Sequence, residues 1–155
     1  GIELLISHDT NNLNYLTGYD AWSFYYAQCA IVHVNAEEPL CFVRAQDVGG
    51  AYIKTYLKNE NILVYDESYI HTWPKHPYDY LVNIIKERKW DKLSIGVEMD
   101  AHYFTAFCYE KIKKLQMNIF ALSTGKGPSG IAILRLSGKD SLQISKLITK
   151  IFVYC

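Results

Sequence analysis

Apolar and polar positions follow one another in blocks that predict short strands alternating with amphipathic helices. Residues 2–7 form an apolar run with the length of a buried strand. Residues 9–11 are Asp, Thr and Asn, whose side chains can accept hydrogen bonds from the free N–H groups of a helix start. A short helix is therefore predicted over residues 12–17, and Gly18 is expected to end it, because glycine adopts a left-handed backbone without a Cβ penalty.

The next two apolar runs predict an antiparallel hairpin. Residues 24–34 are rich in β-branched and aromatic side chains, a composition that favours a strand. Residues 35–38 follow as a polar turn, and residues 39–43 form a second apolar run directly behind it. Two strands joined by so short a turn are expected to pair side by side.

The rest of the chain continues the alternation of strands and helices. Helices are predicted over residues 45–57, 78–89 and 103–115, strands over residues 62–65, 93–97 and 118–122, and a loop over residues 67–77. Residues 123–130 have the composition of a loop, and residues 141–152 show helical spacing of apolar positions. The expected fold class is α/β, with a mixed, largely parallel central sheet of about six strands, an antiparallel hairpin near its start, and helices on its faces.

The bulk composition is that of one domain without net charge. A chain of 155 residues can bury a core without disulfides, and its sixteen basic residues balance its sixteen acidic ones, so neither a nucleic acid nor an anionic membrane is the expected partner. No apolar run reaches the roughly 18 residues of a membrane span. The four cysteines are far apart and contain no CxxC pair, which favours reduced, buried thiols in a cytoplasmic protein.

The two ends of the chain suggest a fragment of a longer protein. The sequence has no initiator Met and opens almost directly in a predicted core strand. Its last residues, IFVYC, are apolar for a free terminus. We therefore expect the natural protein to continue beyond this segment.

The polar residues form no recognisable catalytic motif. The five histidines lack HExxH-type spacing, which favours ordinary loop or core histidines over metal ligands. Asp9, Glu98 and Asp100 could act as paired carboxylates at the ends of adjacent strands, although helix capping explains Asp9 and Asp100 equally well. The GKGPSG segment does not have the residue order of a phosphate-binding loop, and no GxSxG motif is present. No catalytic residue and no metal ligand is therefore assigned within this chain.

An aromatic cluster in the first strand of the hairpin is the remaining candidate site. If residues 22–26 continued that strand, alternation would place Trp22, Phe24 and Tyr26 on one face and Ser23 and Tyr25 on the other. Packing in the core explains such a cluster. A wall of a substrate pocket or a subunit contact explains it as well, because Trp and Tyr are favoured at interfaces.

Several motifs together resemble one known family. The segment NNLNYLTGYDAWSFY is followed in order by CFVRAQD, ILVYD, LSIGVEMD and YFTA. This series is similar to the N-terminal domain of the creatinase, prolidase and aminopeptidase P hydrolases, and most similar to the branch that includes ectoine hydrolase. The resemblance covers residues 1–122. It implies a creatinase/prolidase-type N-terminal domain over residues 1–123, followed at 124–155 by a linker and the start of a connecting helix.

The resemblance also implies a role without catalysis for this chain. In this family a C-terminal pita-bread domain, absent here, holds two divalent metal ions, expected to be Mn, Zn or Co, and cleaves a C–N bond. The N-terminal domain contributes to a homodimer and to the substrate pocket, where Trp22, Phe24 and Tyr26 would form a wall. Tyr26 stands where creatine-cleaving members have an Arg, which argues against creatine as substrate. The alternative is a free-standing interaction or small-ligand-binding domain without hydrolase activity.

Overall fold

The strands in the described part of the chain form one mixed sheet. The computed structural model describes residues 1–115 with their side chains, and residues 117–122 and 134–138 as backbone. The strands are β1 (Leu4–Ser7), β2 (Cys29–His33), β3 (Leu40–Arg44), β4 (Ile62–Tyr65), β5 (Ile95–Glu98), β6 (Met117–Leu122) and β7 (Leu134–Gly138). They form a seven-stranded sheet in the order β4-β3-β2-β1-β5-β6-β7.

The pairing of these strands confirms the mixed sheet and the hairpin. β2 pairs antiparallel with β3, as predicted, and also with β1, while β7 pairs antiparallel with β6. The pairs β1–β5, β3–β4 and β5–β6 are parallel. Parallel and antiparallel pairings are thus equally frequent among the described strands. β7 was not predicted, and the predicted loop at 123–130 and helix at 141–152 lie outside the described residues.

Four helices and several 3₁₀ turns connect the described strands. The helices are α1 (Thr10–Thr17), α2 (Val48–Lys54), α3 (Pro77–Glu87) and α4 (Ala106–Ile112). Turns of 3₁₀ type lie at Trp22–Tyr25, Ala45–Asp47, Asn59–Asn61 and Glu67–Tyr69. None of the helices in this part of the chain has the length and apolar character that crossing a bilayer requires.

Helix α1 has the start and the end that its sequence predicts. The Asp9 carboxylate accepts hydrogen bonds from the backbone N–H groups of Asn11 and Asn12, at 2.9 and 3.3 Å. Gly18 ends the helix in the left-handed region, with φ of 79°. A Cβ on Gly18 would also lie 3.0 Å from the Lys54 carbonyl oxygen, so the close approach of α2 and the turn both require glycine.

The first strand of the hairpin is shorter than predicted, and the aromatic residues precede it. The predicted strand over 24–34 begins only at Cys29, because Trp22–Tyr25 forms a 3₁₀ turn instead. Two contacts support this turn: the Tyr26 N–H donates to the Ser23 carbonyl oxygen at 2.8 Å, and the buried Ser23 hydroxyl lies 3.4 Å from the Tyr19 hydroxyl. The predicted alternation of Trp22, Phe24 and Tyr26 on one face of a strand is therefore wrong.

The buried apolar side chains of residues 1–115 form two layers, one on each face of the sheet. α1 and α2 cover one face with a cluster around Leu13, Tyr19, Ala30, Cys41, Val43 and Ala51. α3 and α4 cover the other face with a larger cluster around Leu4, Ile6, Phe42, Leu81, Ile85 and Ile95. Consecutive residues of β3 enter opposite layers, as the period-two geometry of a strand requires. The predicted buried thiols are confirmed for Cys29, Cys41 and Cys108, whereas Cys155 lies outside the described residues.

Candidate functional site

The 3₁₀ turn Trp22–Tyr25, which we call the aromatic turn, lies at the edge of the sheet that is formed by the carboxyl ends of β1 and β5. These two strands run parallel, and Leu4 to Ile6 pair with Ile95 to Val97. The turn at Trp22–Tyr25 leads into β2, which starts at the same edge because Ala30 pairs with Ser7. In α/β sheets, ligands bind in crevices outside the carboxyl ends of the strands. The predicted wall residues therefore lie at the edge where a ligand site is expected.

Glu98 joins the ends of β1 and β5 through its carboxylate. Its Oε2 accepts hydrogen bonds from the Ser7 hydroxyl at 2.8 Å and from the backbone N–H groups of His8 and Asp9, at 3.0 and 2.9 Å. Its Oε1 accepts a further hydrogen bond from Asn12 Nδ2 at 2.6 Å. A carboxylate that accepts four hydrogen bonds holds the loop between β1 and α1 in place. These hydrogen bonds explain the presence of Glu98 at this position without a role in acid–base chemistry.

Asp9 and Asp100, the other two carboxylates considered for acid–base chemistry, have surroundings that differ from those of Glu98. Asp9 caps α1, which confirms the capping interpretation, although its backbone lies next to Glu98. Asp100 is exposed on the loop after β5. The structure thus brings Asp9 and Glu98 together and leaves Asp100 at the surface.

His8 is a buried histidine at the same edge. Its side chain is 7% exposed, and its ring lies against Phe104, with ring centroids 4.3 Å apart, and edge-on to Tyr78. Neither ring nitrogen has a hydrogen-bond partner within the described residues. Burial lowers the pKa of His8 to about 3, and an interaction with the Glu98 backbone opposes this shift. The ring is therefore neutral at physiological pH.

The described histidines do not form a metal centre. His76 caps α3, because its Nδ1 accepts a hydrogen bond from the Tyr78 N–H at 3.1 Å, and its Nε2 lies 3.8 Å from Cys108 Sγ. Burial lowers the pKa of His76, and the nearby Lys111 adds to this effect. Within residues 1–115, no three His, Cys, Asp or Glu side chains are placed to hold a metal ion together.

The three predicted wall residues divide between two neighbouring pockets. Trp22 is 85% exposed, and Phe24 contacts both Trp22 and Tyr103, with ring centroids 6.4 and 5.2 Å apart. Tyr26 instead lies under the guanidinium of Arg44, which is 4.1 Å from its ring centroid. Trp22 is thus a surface residue, whereas Tyr26 lies against Arg44 on another side of the turn.

The first pocket, which we call the Trp22 pocket, combines aromatic rings with side-chain amides. It has a volume of about 360 Å³, and its lining includes Asn11, Asn14, Trp22, Phe24 and Gln28. The sequence interpretation missed Gln28, which is 6% exposed and whose Oε1 accepts a hydrogen bond from the Ser23 hydroxyl at 3.4 Å. The available signal was an uncharged polar residue directly before a strongly apolar strand.

The second pocket, which we call the Trp73 groove, is more aromatic. It has a volume of about 390 Å³, and its lining includes Tyr26, Trp73, His76, Phe107 and Cys108. The Trp73 ring is 80% exposed and stacks on Phe107, with centroids 5.5 Å apart. Both pockets open beside the aromatic turn, so this edge of the sheet presents an aromatic surface to solvent.

Comparisons with known proteins agree with this fold and these motifs. A family model described as the Creatinase/Prolidase N-terminal domain matches residues 1–125. Ectoine hydrolase from Halomonas elongata is 34% identical over 149 residues, an alignment that covers 90% of this chain and 37% of that protein. A proline dipeptidase from Streptococcus agalactiae has the same fold, with a TM-score of 0.59 and 18% identity over 79% of this chain and 83% of that one.

One further match is short and of a different kind. A stretch of 33 residues is 64% identical to the tRNA modification GTPase MnmE of Pelagibacter ubique and covers 21% of this chain and 7% of that protein. A match of this length does not show a family. The chain spans little more than a third of the ectoine hydrolase that it matches, so the activity of such a whole protein is not shown for this chain.

Proposed function

Because the chain belongs to the creatinase/prolidase N-terminal domain family, we propose that it is the non-catalytic N-terminal domain of a dinuclear-metal-dependent C–N hydrolase. The motifs from NNLNYLTGYDAWSFY to YFTA predicted this family, and the family match over residues 1–125 confirms it. The parent enzyme is of the Xaa-Pro peptidase, creatinase or ectoine hydrolase type. The 34% identity to ectoine hydrolase supports a parent enzyme of one of these three types.

The exposed aromatic turn is the observation that carries the proposed role. Trp22 is 85% exposed beside the half-buried Phe24, at the edge of the sheet where β1 and β5 end. A large exposed ring next to a pocket is typical of a surface that another domain or a ligand covers. We assign this turn to the wall of the substrate pocket, which the C-terminal pita-bread catalytic domain of the same polypeptide would complete.

The metal ions of such an enzyme belong to that other domain. The described residues do not fit a metal centre, because His8 is enclosed by aromatic rings, His76 caps a helix and Glu98 binds four donors. The role of this chain is therefore to bind substrate groups and exclude water. A homodimer in the cytoplasm is the assembly we assign. Tyr15 of α1, Ile53 of α2 and Tyr56, which follows α2, are exposed apolar side chains. The Tyr56 hydroxyl donates to the Tyr15 carbonyl oxygen at 3.0 Å, so these two tyrosines lie side by side on a surface that supports a subunit contact.

The surroundings of Tyr26 disfavour creatine as the substrate. Arg44 lies over the Tyr26 ring, but its guanidinium forms a two-point ion pair with Glu67, with Nη2 2.7 Å from Oε2. The pair raises the pKa of Arg44 and lowers that of Glu67. The charge of this arginine is thus neutralised within the domain, and it does not replace the arginine that creatine-cleaving relatives use for a substrate carboxylate.

Replacing Phe24 with alanine tests the pocket wall. In the enzyme that joins this domain to its catalytic domain, we expect Phe24→Ala to lower kcat/KM about tenfold, because the substrate loses an apolar contact. The melting temperature should hardly change, since Phe24 is only half-buried. Steady-state kinetics and thermal unfolding of the same preparations provide the two readouts.

The matched control for this variant is Phe107→Ala. Phe107 is 37% exposed and lines the Trp73 groove instead of the Trp22 pocket, so its loss should leave kcat/KM within about twofold of the parent. If Phe24→Ala leaves the kinetics unchanged and destabilises the protein by the roughly 3–5 kcal/mol of a truncated core Phe, the residue belongs to the core and not to a pocket wall.

A further inference from the structure

The Trp73 groove offers an exposed aromatic ring as a stacking surface. The Trp73 ring stacks on Phe107, with an angle of 23° between the two planes, and it remains 80% exposed. A large ring that the fold already holds in position can take a flat apolar group at little cost in ordering. The groove can therefore hold an aromatic ring against Trp73.

Cations of the protein already lie over three other rings that line the groove. These pairs are Arg44 over Tyr26, Lys75 over Tyr69 and Lys111 over Phe107, with the cation 4.1, 5.7 and 5.2 Å from the ring centroid. Among the described residues that line the groove, none is Asp or Glu. A positively charged ligand would thus meet ring faces that attract the cations of the protein itself, without a carboxylate beside them. The groove favours negative over positive charge in a ligand.

Lys75 is the one of these three cations without an ion pair in the described part of the chain. The other two each lie 2.7 Å from a carboxylate oxygen, Arg44 from Glu67 and Lys111 from Asp79. Lys75 is exposed and forms no such pair within residues 1–115. Hydrogen bonds from Ser68 chiefly lower the pKa of Asp66, and the charge of Lys75 adds the smallest contribution to this shift. The ammonium group of Lys75 is therefore available to an anionic group in the groove.

We propose that the Trp73 groove binds a small, planar aromatic anion, whose ring stacks on Trp73 and whose anionic group pairs with Lys75. The two residues are two positions apart on the loop before α3, so one ligand can contact both. The volume of about 390 Å³ is sufficient for a compound of two fused rings. This proposal goes beyond the proposed function, because it assigns a ligand to a groove other than the Trp22 pocket. No bond is made or broken there.

Three probes with the same carbon skeleton separate the contribution of the charge from that of the ring. 2-Naphthoate has both features, 2-naphthamide lacks the charge, and decahydro-2-naphthoate lacks the aromatic rings. Each is titrated into the ¹⁵N-labelled 155-residue chain, and ¹H–¹⁵N spectra follow the indole N–H signals of its three tryptophans. 2-Naphthoate is expected to shift the Trp73 signal and to bind at least about threefold more tightly than either of the other probes.

The other two tryptophans show where the probe binds. Trp22 reports the Trp22 pocket, and Trp90 stacks on His33 away from the groove. A Trp73 signal that 2-naphthoate does not move, or a shift confined to Trp22 or Trp90, would overturn the proposal. Equal or tighter binding of 2-naphthamide would show that charge has no part in recognition. Equal or tighter binding of decahydro-2-naphthoate would show that apolar burial alone explains it, and either result would overturn the proposal as well.

A variant of Lys75 tests the proposed ion pair. Lys75→Gln should weaken 2-naphthoate about threefold and leave the affinity for 2-naphthamide unchanged, because only the first probe carries a charge. Lys86→Gln removes an exposed lysine of α3 that does not line the groove and should change neither affinity. An equal loss for both probes in Lys75→Gln would contradict the ion pair. These measurements involve no turnover, so their failure leaves the proposed domain role standing, and hydrolysis by the isolated chain would refute that role alone.

Discussion

Replacing Glu98 with alanine is expected to lower the free energy of unfolding by about 3 kcal/mol. The carboxylate accepts hydrogen bonds from the Ser7 hydroxyl, from the backbone N–H groups of His8 and Asp9, and from Asn12 Nδ2. The variant leaves these donors without their acceptor at the start of α1. Urea unfolding of the chain, followed by circular dichroism, measures the change.

Two further variants make this result specific to the carboxylate of Glu98. Asp100→Asn removes an exposed carboxylate from the loop directly after β5 and should change the stability by less than about 0.5 kcal/mol. Glu98→Gln keeps the shape of the side chain but turns an amide nitrogen towards donors, so it should be nearly as destabilising as alanine. A Glu98→Ala variant with the stability of the parent would show that these hydrogen bonds do not hold the edge of the sheet together.

The free energy of unfolding is expected to fall by about 4–5 kcal/mol through His8 alone as the pH decreases from 6.5 towards 3. The pKa of His8 is lowered to about 3 in the folded chain, against an ordinary value of 6.5. As the pH falls, the unfolded chain therefore binds a proton at His8 before the folded chain does. The contribution of His8 to the free energy of unfolding is complete above pH 6.5 and is lost progressively as the pH falls to the folded pKa. Urea unfolding at a series of pH values measures the slope.

His8→Phe is the variant that isolates this contribution. A phenyl ring at this position would contact Phe104 and Tyr78, as the imidazole does, and it cannot titrate. The parent and the variant should therefore differ in how steeply the free energy of unfolding depends on pH, and this difference reports His8 rather than the carboxylates. His102→Phe changes an exposed histidine near the same edge and should keep the slope of the parent. An unchanged slope in His8→Phe would contradict the burial of a neutral imidazole at this position.

Elements with strong local signals were predictable from the sequence. The Asp9 cap and Gly18 define α1, which begins at Thr10 and ends at Thr17, close to the predicted bounds. β4 has the predicted bounds, Ile62–Tyr65, because its short apolar run lies between polar segments. In each case the residues that decide the structure are neighbours in the chain.

The parts that were not predicted depend on contacts between distant residues. The aromatic composition of Trp22–Tyr25 favours a strand, but the hydrogen bonds of buried Ser23 with Tyr19 and Gln28 accompany a 3₁₀ turn there. The site residues show the same limit. Glu98 binds Ser7 and Asn12, which lie more than 85 positions earlier in the sequence. The periodicity of apolar residues carries no information about such a contact. The position of Gln28 in the Trp22 pocket likewise depends on residues of α1 and of the turn that line this pocket with it.

Turnover by the isolated chain is the most direct test of its proposed non-catalytic role. The purified 155-residue chain is supplied with Mn²⁺, Zn²⁺ or Co²⁺ and incubated with Xaa-Pro dipeptides, creatine or ectoine, and product formation is followed with time. A non-catalytic domain predicts no metal-dependent product above the rate of metal ion and substrate without protein. Metal-dependent hydrolysis at rates of about 1 s⁻¹ or more, in the range typical of enzymes, would contradict it.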